Sequence, residues 1–234
     1  MRNQNDGRVE DPVAVPLYLS ETYWWAYVHP RAVNFFERQW LVNLILWGNF
    51  GRLRDAALAA LGARLTGRTL QVACVYGDLT QRLARRLAPG SSLDVVDVLA
   101  VQLDNLARKL PSGAAVALIH GDSAALDLPA ASYDRALLFF LLHEQPEAVR
   151  VKTLAETLRV VKPGGEIVIV DYHRPYRWNP LRLPMAGVLR ALEPFALDLW
   201  RHEIAEWLPV SVSRGNVRKQ TCFGGLYQML RIAV

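Results

Sequence analysis

A chain of 234 residues, 52% hydrophobic and 21% charged, can bury a core of ordinary domain size, which excludes a disordered tail protein. Two cysteines, Cys74 and Cys222, make a disulfide framework unnecessary, and no run of 18 apolar residues is present to span a bilayer. The net charge of +5 sits at one end: Met1 to Asp171 carries 18 basic and 18 acidic residues, and Tyr172 to Val234 carries 9 and 4.

Residues 1 to about 17 are polar and spaced by prolines, and no basic, apolar, small-residue signal opens the chain. A cytoplasmic setting is therefore expected. Tyr18, Tyr23, Trp24, Trp25 and Tyr27 then crowd together, and Val33, Phe36, Trp40, Leu44 and Trp47 follow at helical spacing after Pro30. A second helix is predicted over Arg52 to Leu65, closing at Gly67. From there strand alternates with helix. The strands are Thr69 to Val75, Leu93 to Asp97, Ala115 to His120, Arg135 to Leu142 and Glu166 to Asp171. The helices are Leu79 to Leu87, Val101 to Leu110 and Ala148 to Val161, the last stopped by Pro163, Gly164 and Gly165. This order predicts right-handed crossovers and a mostly parallel sheet with helices on both faces. Trp178 to Trp207 reads as one helix kinked at Pro194, and Val210 to Ala233 as a closing antiparallel hairpin. Two parts result: residues 1–65 as an aromatic lid with helices, and 66–234 as the α/β domain with a basic helical insertion at about 174–208.

In such a sheet ligands bind beyond the carboxyl ends of the strands. Three signals stand there in order. The first strand enters a turn at Ala73-Cys74-Val75-Tyr76-Gly77, Asp97 ends the second strand 20 residues after Gly77, and Gly121-Asp122-Ser123 follows the third. A carboxylate at Asp97 suits ribose hydroxyls, and one at Asp122 suits an exocyclic adenine amine. Acidic residues also commonly end strands for no other reason than the turn, so each signal is weak alone.

These pieces, with Leu128-Pro129, Ser132-Tyr133-Asp134 and Lys162-Pro163-Gly164-Gly165, resemble class I S-adenosylmethionine-dependent methyltransferases over about Thr66 to Asp171. The branch acting on ubiquinone and menaquinone precursors is nearest. The resemblance implies a Rossmann-like, mostly parallel seven-stranded sheet that binds S-adenosylmethionine at Ala73, Val75, Gly77, Asp97, Asp122 and Ser123. The turn departs from that branch: where the pattern has an acidic residue and alternating glycines, this chain has Gln71, Ala73, Val75 and Gly77. Val72 to Asp78, Tyr18 to Arg31 and Arg38 to Asn49 resemble instead the rhodoquinone-biosynthesis proteins (RquA), a divergent relative of the quinone methyltransferases. That resemblance implies replacement of a ubiquinone methoxy group by an amino group, with S-adenosylmethionine as amino donor and a divalent metal, manganese preferred. A conventional quinone methyltransferase and a non-catalytic lipid- or nucleotide-binding protein are the alternatives.

The fourth and fifth strands, as neighbours, would bring His143, Glu144, Asp171 and His173 together. Imidazole with carboxylate suits a divalent ion or a general base; capping of loops is the plain alternative. Catalytic roles are accordingly expected for His143, Tyr76 and Asp171, and metal ligation for His143, Glu144, His173 and Asp78. For Asp78 the plain alternative is a favourable interaction with the helix dipole. Tyr23, Trp25 and Tyr27 are expected to stack on a quinone ring. The arginines at 174, 177, 182, 190 and 201 suit transient contact with an anionic membrane surface, and no nucleic-acid motif is present.

Overall fold

The computed structural model describes residues 14–22, 43–212 and 214–234. Strands β1 (Arg68–Val72), β2 (Ser92–Asp97), β3 (Val116–His120), β4 (Tyr133–Phe139) and β5 (Val161–Tyr172) run parallel. Two more, β6 (Val217–Cys222) and β7 (Tyr227–Ala233), form a hairpin whose second strand lies antiparallel against β5. The order across the sheet is β3-β2-β1-β4-β5-β7-β6. Parallel strands are covered on both faces and read as continuous apolar runs; Leu137, Leu138 and Phe139 in β4 and Ile167 to Val170 in β5 are all buried. The edge strand β6 instead exposes Arg218 and Lys219, charges that discourage pairing with another sheet.

The covering helices are α1 (Leu17–Thr22), α2 (Phe50–Leu61), α3 (Leu79–Ala84), α4 (Ala100–Lys109), α5 (Glu147–Val160), α6 (Arg182–Leu192) and α7 (Asp198–Arg201). Helix α2 buries Phe50, Leu53, Ala57, Leu58 and Leu61 along one stripe. The chain leaves β1 towards β2 and β3 on one side, then returns to β4 and β5 on the other. The crevice above the carboxyl ends of β1 and β4 is therefore the switch point where such folds bind ligands.

The expected architecture is the one observed, with local differences that have physical causes. β1 stops at Val72 because Ala73 turns at φ +70°. β4 stops at Phe139 because Phe140 sits at φ +53°, three residues short of the expected end at Leu142, and a 3-10 turn over Leu142–Glu144 follows. Helix α2 closes at Gly62 (φ +111°), earlier than Gly67. The kinked helix predicted over Trp178 to Trp207 is three short pieces: α6, α7 and a 3-10 turn over Ile204–Trp207 capped reciprocally by Glu203 and Glu206. Of the helix expected over Val33 to Trp47, residues 43–45 are helical and the part before them lies outside the described residues.

Two of the sequence signals turn out to be scaffold. Asp134 pairs with Lys162 at 2.7 Å and accepts the Arg68 amide at 2.7 Å. A Cβ on Gly165 would lie 2.8 Å from the Asp134 carbonyl oxygen and 2.6 Å from Val161 Cγ1. The Ser-Tyr-Asp and Lys-Pro-Gly-Gly segments thus lock the starts of β1, β4 and β5 together, at the sheet edge opposite the ligand crevice.

Candidate active site

A cavity of about 580 Å³ lies over the carboxyl ends of β1, β2 and β4, within the range of small-molecule sites. Its floor at one end is the turn after β1. Ala73, Cys74, Val75 and Tyr76 all face the cavity. Ala73 holds a left-handed conformation that glycine ordinarily supplies, and Gln71 explains how an alanine is kept there. The fully buried Gln71 donates from Nε2 to the Ala73 carbonyl (3.0 Å) and accepts the Thr80 hydroxyl at Oε1 (3.0 Å). A carboxylate at that place has no proton to give the Ala73 carbonyl, so the amide fits this turn and the usual acid does not. Tyr76 extends across the floor and accepts a hydrogen bond from Gln102 Nε2 on α4 (2.8 Å).

Asp97 ends β2 at the same edge. Its Oδ2 accepts the Cys74 amide (2.7 Å) and its Oδ1 accepts the Leu99 amide (2.8 Å). Burial raises its pKa, opposed by those two N–H donors. The Cys74 side chain is a third donor to this carboxylate, which keeps acceptor capacity for a ligand hydroxyl. Asp122 and Ser123 also face the cavity; Ser123 Oγ is set by Gln145 Nε2 and Thr153 Oγ1, both at 3.0 Å. A buried carboxylate, a hydroxyl and a second carboxylate along successive strand ends fit the ribose and adenine of S-adenosylmethionine, and the volume accommodates them.

Gly77 takes another role than the one expected of it. It lies off the cavity wall, at φ +87°, and a Cβ there would come within 2.9 Å of the Phe50 ring. Its smallness admits helix α2, not the cofactor. Asp78 is likewise corrected. Its oxygens meet Arg54 Nη1 and Arg82 Nε, each at 2.6 Å, away from the cavity. Burial acts to raise its pKa, but Arg82 and Arg54 hold it below the ordinary carboxylate value.

The other end of the cavity is aromatic. Phe140 packs edge-on against Phe139 (5.1 Å between centroids), Tyr172 (5.2 Å) and His143 (5.8 Å). His143 lies on the 3-10 turn, almost wholly buried, with Nδ1 3.0 Å from Asp171 Oδ1 and Nε2 3.8 Å from Glu144 Oε1. The Asp171 contact is a charge pairing; the ring N–H is not aligned for a hydrogen bond. Burial pushes the imidazole pKa down, but Asp171 outweighs it, with Glu193 and Glu144 assisting, and raises it from 6.5 to about 9. His143 is therefore a cation at neutral pH. Asp171 itself is fully buried behind the ring and accepts the amides of Leu142, His143 and Tyr172. It positions His143 rather than meeting a ligand.

The expected metal set does not assemble. His173 turns away, with Nδ1 against the Gly225 carbonyl (2.8 Å) and Nε2 near Lys219 (3.1 Å). With Asp78 tied to two arginines and Asp171 saturated by amides, only His143 and Glu144 of the expected ligands face the cavity. Among the described residues no group of three or more His, Cys, Asp or Glu is arranged to hold a metal ion. The described residues therefore offer no set that fits divalent manganese. Tyr23, Trp25 and Tyr27 lie outside the described residues.

Sequence reasoning missed Arg150. It is fully buried on α5, donating from Nε to the Leu142 carbonyl (2.9 Å) and from Nη2 to those of Gln145 (2.8 Å) and Phe195 (3.2 Å), and its guanidinium lies 4.3 Å from the Trp207 ring. It thereby fixes both ends of the turn bearing His143 and Glu144. The available signal was an arginine in line with the buried positions Thr153, Leu154 and Thr157 of the same helix. Replacing Arg150 with Met is expected to remove these three hydrogen bonds, although the Leu142 and Phe195 carbonyls each keep one backbone N–H, and to cost about 2 kcal/mol, lowering Tm by roughly 4–8 °C. A thermal melt checks it, and an unchanged Tm would remove Arg150 from this role.

Residues 69–165 match a family model described as a methyltransferase domain. A demethylmenaquinone methyltransferase of Bacillus licheniformis is 28% identical over 176 residues, covering 71% of this chain and 75% of that protein. One from Staphylococcus aureus is 29% identical over 135 residues, covering 58% of this chain and 55% of its own length. Among solved structures, human N-acetylserotonin methyltransferase in complex with SAM aligns with a TM-score of 0.61 at 15% identity, covering 94% of this chain and 60% of that one. The fold is Rossmann-like, and residues 69–165 are similar to a methyltransferase domain.

Proposed function

We propose that this protein is an S-adenosylmethionine-dependent transferase whose acceptor is the ring of a quinone-type lipid. One observation carries the reading: a single cavity joins a carboxylate-bearing nucleotide end, at Asp97 and Asp122, to an aromatic end at Phe140, His143 and Tyr172. Methyl transfer is the reaction that the demethylmenaquinone methyltransferase relatives support. Bound S-adenosylmethionine supplies an electrophilic carbon next to its sulfonium. The chain supplies the surroundings. Asp97 fixes the sugar, and Phe140 and Tyr172 shelter the ring from water. The protonated His143, held by Asp171, donates from Nε2 to a ring oxygen and holds the reduced ring as its anion, the form whose carbon attacks the methyl group. Glu144, beside it, accepts the proton that leaves the ring.

A second reading is exchange of a ring methoxy group for an amino group. It is favoured by the turn at Ala73 to Tyr76, where Val75 and Tyr76 narrow the floor under the methionine end, and by the resemblance of that turn to the rhodoquinone-biosynthesis proteins. Incubating the protein with S-adenosylmethionine and a ubiquinone or demethylated quinone, with and without manganese, and weighing the product separates the two. A gained methyl supports the first and an amino group in place of methoxy the second. Intact substrate under every condition would overturn both. A lipid substrate resides in a bilayer, so the reading implies transient contact with a membrane surface. No helix among the described residues is long and apolar enough to cross one.

A further inference from the structure

We infer that the apolar rim of the cavity, from residues 44–47 and from α6, is a docking face for an anionic lipid bilayer through which a quinone tail reaches the site. The inference rests on the proposed lipid acceptor for its purpose, though not for its test. Leu44, Ile45, Trp47, Val188 and Leu192 each line the cavity and are also 39% to 65% exposed. Single exposed apolar side chains are ordinary; a set continuous with the wall of an internal cavity is not. The two rim segments are one surface, because Trp47 Nε1 donates to Met185 Sδ of α6 at 3.3 Å. Trp178, on the connection leaving β5, and Leu183, in the first turn of α6, are 74% and 82% exposed.

Charge decides the partner. From Tyr172 to Leu192 there are four arginines and no acidic residue. Arginines elsewhere in the fold, such as Arg54, Arg68, Arg82, Arg159 and Arg231, pair with carboxylates. Arg174, Arg177, Arg182 and Arg190 form no ion pair among the described residues. Apolar side chains that insert beside uncompensated arginines suit the headgroup region of an anionic membrane. A second copy of the same basic face would repel it.

The test is sedimentation of the full chain with phosphatidylcholine vesicles, with and without phosphatidylglycerol. The wild type should bind the anionic vesicles and be released by high salt. The pair Arg177→Glu, Arg190→Glu and the pair Trp178→Ser, Leu183→Ser should each weaken binding about tenfold or more, with unchanged melting temperatures. Those variants should turn over a short-tailed, water-soluble quinone as the wild type does and lose turnover only on long-tailed quinone in vesicles. Equal binding to neutral and anionic vesicles, no binding to either, or variants that bind like the wild type would overturn the inference. Vesicle binding is scored without turnover, so an inactive protein would count against the proposed reaction and not against this face.

Discussion

The protein should lose activity as pH rises through about 9, and Asp171→Asn should move that loss down to the ordinary imidazole range or below. His143 is the reason. Its proton is retained to about 9 only because the buried Asp171 carboxylate outweighs the desolvation that acts to remove it. With an amide at 171, burial acts unopposed by that neighbour. At pH 7.5 the variant then has a neutral ring where the reaction calls for a cation, and kcat should fall about 10–100-fold. His143→Ala, which removes the donor itself, should cost about 10²–10³-fold with a smaller change in KM. The same pair predicts stability. The folded-state value lies above the unfolded one, so the stabilisation is complete below about 6.5 and fades as pH rises through 9. For this buried group it amounts to on the order of 3 kcal/mol. Urea melts at pH 6 and pH 10 should show that difference in the wild type and lack most of it in Asp171→Asn. An identical pH limb in both proteins would exclude His143 as the charged group.

The second large effect concerns the cofactor. Asp97→Ala should weaken S-adenosylmethionine about 100-fold, because two charge-assisted hydrogen bonds to the sugar are lost at roughly 1.5 kcal/mol or more each. The amides of Cys74 and Leu99 lose their acceptor in the same step, so the turn after β1 loosens as well. Asp97→Asn should do little better, since an amide has a single acceptor oxygen for two amides and the sugar. A loss of less than about threefold in affinity would show that the carboxylate braces the turn and does not meet the ligand.

The sheet was legible because parallel strands buried on both faces leave unbroken apolar runs, and the placement of Asp97 and Asp122 on the cavity was legible because crevices in such sheets open beyond the strand ends. The ends of β1 and β4 were not. Ala73 and Phe140 take left-handed backbone without being glycine, and nothing in the residue pattern announces that. The insertion read as one helix because its apolar stripe runs on past Pro194, while the backbone breaks between α6 and α7. His173 shares its strand face with Asp171 in the alternation, but β5 ends at Tyr172, and the His173 amide bonds the Leu226 carbonyl (2.8 Å), turning the ring from the site. Asp78 misled for a different reason: its partner Arg54 lies 24 residues earlier on α2, a pairing that only the packed fold reveals. Arg150 was passed over because a charged residue on a helix is ordinarily solvated.

Titration calorimetry of the folded protein with S-adenosylmethionine bears most directly on the whole account. It should give one saturable site whose affinity drops about 100-fold in Asp97→Ala, and a short-tailed quinone should bind alongside rather than displace the cofactor. Absence of any binding heat in well-folded protein, with quinone present or absent, would contradict a cofactor seat on the turn between β1 and α3.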